Sequence, residues 1–327
     1  MKTEAPENLA EITKLTEEQA REYLESVLWP NGPVCPHCGS QDAVRLAGKA
    51  TRPGVLKCRA CRKQFTVTVG TIFADSHISI RQWLIAFHLM CSSKKGVSAL
   101  QLQRNLGLKS YQSAWHLSHR IRLAMKRNGV AELLKGAVEV DETYIGGKPR
   151  SGTGYHKPGR GTKKTPVLAL VERQGDIRVR SVSNVTGRTL KGAIRESVDS
   201  GATIYTDEWP SYRGIGKEFE GGHRVVNYGI KEYVSGDANT NTAESFFALL
   251  KRGVHGTFHH VSRRHLHRYC DEFGFRWGSR KVTDGERTAL ALAQSTGKRL
   301  MYKNVKGTTP LGNMRSMRRK LGIQNEK

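Results

Sequence analysis

Four cysteines stand in two CxxC pairs, Cys35 with Cys38 and Cys58 with Cys61. The gap between the pairs, positions 39 to 57, is 19 residues long, within the range that lets two tight turns offer four thiolates to one tetrahedral ion. Four protein ligands leave no open position for substrate, so this Zn2+ is expected to be structural, folding its module rather than catalysing. Cys91 and Cys270 stand alone and read as buried thiols.

A second set is acidic. The stretch VEVDETY, Val138 to Tyr144, gathers three acids in seven residues of a basic chain. Asp141 follows Val138 and Val140 by alternation, and Asp207 ends the run Ile204-Tyr205-Thr206, so both sit where a strand meets a loop. Glu244 lies in NTNTAESFFALLKRG, a helical pattern with Phe246, Leu249 and Leu250 as its core face; Lys251, two turns on, shares the face of Glu244. Taken singly, each acid has an ordinary explanation: a turn residue, or for Asn241 to Glu244 a capping box. Together they would need a cation or protons, because two carboxylates about 4 Å apart repel by about 4 kcal/mol at an effective dielectric of ~20. Oxygen-only ligation favours Mg2+ or Mn2+, and a pair of such ions suits in-line displacement at a phosphodiester. Glu139 shares the Asp141 face by alternation and is a candidate supporting partner; Glu142 and Glu208 rank lower.

The bulk numbers say which substrate such a site would meet. Lys and Arg number 54 against 29 Asp and Glu, a net charge of +25 over 327 residues, which attracts polyanions, double-stranded DNA first. With 37% hydrophobic residues the chain should fold. Its longest apolar run, WLIAFHLMC from Trp83 to Cys91, is far short of the ~18 residues a membrane span needs. The N-terminus lacks the apolar core of a secretory signal, so a cytoplasmic, nucleoid-associated protein without membrane partners is expected.

The elements that must carry these residues follow from periodicity. One amphipathic helix is expected over 11–29, a strand through Phe65, Val67 and Val69, and three helices over 78–127 with turns at Gly96 and at Gly107 to Ser110. The last two read as a helix-turn-helix, whose second helix would lie in a DNA groove with Arg120 and Arg122 on phosphates. Strands follow at 136–145, on both sides of Gln174-Gly175-Asp176 and at 202–212, with helices at 189–198, 242–252 and 262–275. Between Gly146 and Lys164 a basic, acid-free segment offers Lys148 and Arg150 as phosphate contacts.

Five motifs in order, WPNGPVCPHCGS, CRACRKQFTVTVGTIF, VEVDETYIGGK, YTDEWPSY and NTNTAESFFALLKRGVHGTFHHVS, resemble the bacterial insertion-sequence transposases of the DDE superfamily, in the ISXO-like group with an N-terminal zinc ribbon. The likeness runs from about Leu15 to Arg280. It implies an α/β fold class: a ribonuclease H-like catalytic domain preceded by a small β zinc ribbon and a helix-turn-helix region. It implies Asp141, Asp207 and Glu244 as the catalytic, metal-binding triad, Lys251 on the DNA end, cleavage of transposon ends by water, and joining of the freed 3′-hydroxyl to target DNA by a homo-oligomer. The division expected is an N-terminal helix (1–30), zinc ribbon (31–75), helix-turn-helix region (76–130), catalytic domain (131–280) and basic tail (281–327). A zinc-dependent DNA-binding regulator without catalysis is the alternative, and a nuclease that only hydrolyses is a third reading.

Overall fold

The computed structural model describes residues 6–48, 50–127, 132–147, 162, 164–226 and 239–306. Two helices, α1 (Leu9–Lys14) and α2 (Glu17–Leu28), stand where one was expected. Local chemistry makes the break. The Thr16 hydroxyl accepts from the Gln19 amide and the Gln19 side chain accepts from the Thr16 N–H, satisfying two donors that a helix start leaves open.

A three-stranded antiparallel sheet follows, β1 (Ala43–Arg45), β2 (Leu56–Cys58) and β3 (Gln64–Phe65), paired in that order. The strand expected through Val69 stops at Phe65: the Val69 N–H turns back to the Thr66 carbonyl, and Val67 packs into the helical core instead. That core is built on α3 (Ile80–Ser92), α4 (Ala99–Leu106) and α5 (Tyr111–Met125), the three helices read from sequence. At its centre Phe73 meets Trp83 edge-on at 4.9 Å and lies 5.8 Å from Phe87. Each such ring contributes about 1.5–3 kcal/mol through the apolar surface it removes from water.

The expected basic tail is a correction. From Asp284 to Ala293 the chain forms α9, started by a Thr283–Glu286 capping box, and Ala291 and Leu292 close the helical core against α3. Small residues at helical spacing, Gly285, Thr288, Ala291 and Leu292, make its buried stripe, which charge counting overlooks. A short α10 (Tyr302–Lys306) ends the described chain, with the Tyr302 ring against Trp115 and His116 of α5.

The second layer is a five-stranded mixed sheet. Strands β4 (Ala137–Ile145), β5 (Thr165–Glu172) and β6 (Ile177–Ser181) form an antiparallel meander, while β7 (Thr203–Asp207) and β8 (His223–Val226) run parallel to β4 on its other side. The spatial order is β6-β5-β4-β7-β8. β5 is buried along nearly its whole length because both its faces are covered. Leu168 and Leu170 meet α6 (Gly187–Ser197) on one face; Val167, Ala169 and Val171 meet α7 (Asn241–Gly253) and α8 (Leu266–Gly278) on the other.

Helix α8 binds the two layers together. Phe273 points to the sheet and Phe275 to the helical core. At this junction the fully buried Glu272 accepts from Arg122 Nε of α5 at 2.6 Å and from Arg276 at 2.7 Å, while the Arg122 guanidinium lies 4.1 Å over the Tyr269 ring.

Candidate active site

Neighbouring strands set the first two acids. In the parallel pairing of β4 with β7, Ala137, Val138 and Glu139 stand opposite Thr203, Ile204 and Tyr205. Continued two residues, this register brings Asp141 beside Asp207. Asp207 ends β7 as expected, whereas Asp141 does not meet a loop: β4 continues to Ile145, held by its antiparallel pairing with β5, so Asp141 lies mid-strand. Val138, Val140 and Ile204 point into the core under α6, so Glu139, Asp141 and Asp207 project from the opposite face, which α7 covers.

The third acid arrives on that helix. The residue before α7, Thr240, makes no side-chain cap, and the Asn241–Glu244 capping box considered from sequence does not form. Its open amides are taken instead by the sheet: Glu139 Oε2 accepts from the N–H groups of Thr242 at 2.8 Å and Ala243 at 3.0 Å, and Oε1 from the Thr242 hydroxyl at 2.9 Å. Glu244 follows one residue later, in the first turn, and Lys251 lies two turns along; both side chains are exposed.

Electrostatics reports the convergence. The Asp141 carboxyl is pushed up to about 7, first by burial, then by the negative charge of Glu142, and further by Asp207 and Glu244; the Glu142 amide, donating to Asp141 Oδ1 at 2.7 Å, acts the other way. Asp207 accepts from the Trp209 amide at 3.1 Å, and Glu142 accepts from the buried Tyr212 hydroxyl at 2.7 Å. An all-oxygen donor set that raises its own proton affinity through mutual repulsion fits a hard divalent cation. The acids stand farther apart than the cysteines: among the described residues the cysteine quartet alone gathers three or more such ligand atoms within 4.8 Å of one another.

That quartet has the dimensions of a zinc site. Cys35 Sγ lies 3.7 Å from Cys61 Sγ, and Cys38 Sγ lies 3.6 Å from Cys58 Sγ. Zinc–sulfur bonds of ~2.3 Å in a tetrahedron require sulfur separations of about 3.8 Å. The two turns are built alike. Cys35 N–H bonds the Ser40 carbonyl at 2.9 Å, and Cys58 N–H bonds the Lys63 carbonyl at 3.0 Å. The residue after each second cysteine is left-handed, Gly39 at φ 77° and Arg62 at φ 59°. A non-glycine residue held there marks a turn that its surroundings over-determine.

Comparison with known proteins finds matches over both regions of the chain. Residues 133–278 match the family model described as an ISXO2-like transposase domain, and residues 15–64 match the transposase zinc-ribbon domain. The chain carries an ISXO2-like transposase domain behind a transposase zinc ribbon. It is also 26% identical, over 276 residues covering 81% of this chain and 92% of the relative, to an uncharacterized protein in transposable element ISH50 of Halobacterium salinarum. The transposase-domain match spans β4 to α8 and so contains Asp141, Asp207, Glu244 and Lys251; the zinc-ribbon match contains all four paired cysteines.

Two sites expected on the DNA side need correction. Arg122 is 2% exposed and Arg120 is 6% exposed. Arg122 is committed to Glu272, and Arg120 donates to the Ala74 carbonyl and lies 5.0 Å over the Trp83 ring, so neither guanidinium is presented to a phosphate. Helical spacing places both on the C-terminal half of α5, which packs against α8 and α3; the exposed part is its first turn, Tyr111, Gln112 and Ser113. Lys148 and Arg150 lie outside the described residues. Among the described residues no helix of the chain is long and apolar enough to cross a membrane. Sequence reading also passed over Arg173, which donates to Glu139 Oε1 at 2.7 Å and to the Asn239 carbonyl at 2.9 Å. In sequence Arg173 is one arginine among many, and only the antiparallel register of β5 on β4, continued by the Arg173 N–H on the Ala137 carbonyl, brings it to Glu139.

Proposed function

We propose that the chain is a metal-dependent DNA transposase of an insertion sequence, in which the sheet and its helices form a ribonuclease H-like catalytic domain that cuts transposon ends and joins them to target DNA. The observation that supports the reading is the raised carboxyl of Asp141, with Asp207 and Glu244 among its causes, on two adjacent parallel strands, mid-β4 for Asp141 and at the end of β7 for Asp207. Asp141, Asp207 and Glu244 would hold two Mg2+ or Mn2+ ions, which when bound supply electrostatic stabilisation of charge on the phosphoryl oxygens. The chain's own residues do the rest. Lys251, on the Glu244 face of α7, holds a phosphate of the DNA end beside the acids. The α4–α5 hairpin acts as a helix-turn-helix and lays the first turn of α5 toward the bases, since recognition helices read with their N-terminal residues. The cysteine quartet holds structural Zn2+, and two copies of the chain handle the two ends together.

Labelled terminal DNA incubated with the protein and Mg2+ tests this. Wild type should release a 3′-hydroxyl end and join it to a second duplex. Asp141→Asn and Asp207→Asn should shift the DNA in a gel as wild type does and cut at least 10³-fold more slowly, the order of loss that follows removal of a group acting only on the transition state. A wild type that binds but never nicks would leave the regulator; nicking without joining would leave the nuclease.

A further inference from the structure

Glu139 is fully buried, and neither of its oxygens is left for a metal. Oε1 takes Arg173 Nε at 2.7 Å and the Thr242 hydroxyl at 2.9 Å, while Oε2 takes the Thr242 and Ala243 amides at 2.8 and 3.0 Å. Burying a carboxylate is costly unless it is paired and fully hydrogen-bonded, and here every bond leads to an element of the proposed catalytic centre. Glu139 itself belongs to β4, two residues before Asp141 on the same face. The amides belong to the start of α7, immediately before Glu244. Arg173 extends from the end of β5, reaches the Asn239 carbonyl just ahead of α7, and stacks 4.2 Å over the ring of Tyr205. Tyr205 is the cross-strand partner of Glu139 on β7, two residues before Asp207.

Resting on the transposase reading above, we propose that Glu139 is the positioning residue of the acidic triad, a clamp that fixes the height and rotation of α7 over the sheet so that Glu244 meets Asp141 and Asp207. An apolar residue at 139 would fill the same space but strand two helix amides in a buried setting. The carboxylate satisfies them and also complements the positive end of α7. Arg173 neutralises Glu139 from the opposite side, which keeps a fourth negative charge from competing with the triad for the cation. The clamp acts through Glu244 and touches neither metal nor DNA.

The test is Glu139→Gln in the full-length protein, assayed for single-turnover cleavage of labelled terminal DNA as Mn2+ is titrated, with Asp141→Asn alongside and thermal melts of each. Glutamine keeps the shape and one acceptor but loses the ion pair with Arg173. The half-saturating Mn2+ concentration is expected to rise tenfold to a hundredfold, the usual cost of removing a group that orients a metal ligand, while DNA binding is unchanged. A purely structural role would lower the fraction of active protein and leave the Mn2+ midpoint in place; that result, with Asp141→Asn inactive, overturns the clamp and leaves the catalytic reading standing. Cleavage by Asp141→Asn at the wild-type rate overturns the catalytic reading instead. Should Glu139→Gln fail to fold, Thr242→Ala removes only the hydroxyl bond to Oε1, and its Mn2+ midpoint must move the same way by a smaller factor; no movement sinks the proposal.

Discussion

Asp141 and His119 show what burial does to a charge when a partner is near and when none is. The Asp141 carboxyl is raised to about 7, first by burial and then by neighbouring carboxylates, on the central strand of the sheet, where a cation would relieve it. His119 is fully buried with no hydrogen-bond partner on either ring nitrogen among the described residues, and its imidazole is lowered to about 2, first by burial and then by the charges of Arg122, His265 and Arg268. With a folded value below the ~6.5 of a free imidazole, the ring is neutral in the fold. Its contribution is intact above pH 6.5 and is lost as pH falls below it, by about 1.4 kcal/mol per unit, or about 2 kcal/mol at pH 5. Urea midpoints between pH 7 and 5 should therefore fall less steeply for His119→Phe than for wild type. A slope identical to wild type would mean the ring is solvated. His116 and His265 are lowered in the same direction and leave a residual slope. The four zinc-ribbon thiols were legible because spacing alone carries their meaning; His119 was not, because nothing in HLSHR says which polar side chain the fold buries.

At the scale of elements, apolar runs and helical period recovered most strands and helices of the sheet layer, since β5 is apolar and buried on both faces and α7 buries one regular apolar stripe. What sequence could not give was the assignment of the polar face of α5. Arg120 and Arg122 read as groove contacts on charge, whereas in the fold Arg122 joins Glu272 and Arg276 in a buried ionic junction between helical core and sheet. Two cations on one carboxylate, with both arginines packed on aromatic rings, make that junction intolerant of losing its centre. Glu272→Gln should lower the free energy of unfolding by about 3–5 kcal/mol, because it strands buried charge, and a urea titration reads this directly. A change below about 1 kcal/mol, the usual worth of an exposed pair, would show that the arginines are hydrated there. Asp141, Asp207 and Glu244 could be named from sequence as candidates, but not how α7 is seated over the strands, because its bonds to Glu139 span 103 and 104 positions of chain.

For the whole molecule, a net charge of +25 was readable at once and says what the protein meets rather than where. Even with Arg120, Arg122 and Arg276 withdrawn into the interior, Lys251, Arg252, Lys94 and Lys95 remain exposed around the end of α7 and the α3–α4 turn. Binding to terminal DNA through six to ten phosphates should weaken by about 10³ to 10⁵ between 50 and 200 mM salt. Affinity that is flat across that range would contradict an electrostatic footprint of this size. Arg120→Gln and Arg122→Gln should leave the salt slope unchanged, since neither guanidinium reaches the surface.

The carboxylate cup is tested most directly by titrating Mn2+ into the zinc-loaded protein in a calorimeter, with Asp141→Asn and Glu244→Gln as companions. Wild type should take up Mn2+ in addition to its zinc, with protons released below pH 7 as the raised Asp141 carboxyl ionises, and either substitution should abolish or greatly weaken that uptake. Mn2+ uptake by both variants with wild-type affinity would contradict a shared site at positions 141, 207 and 244.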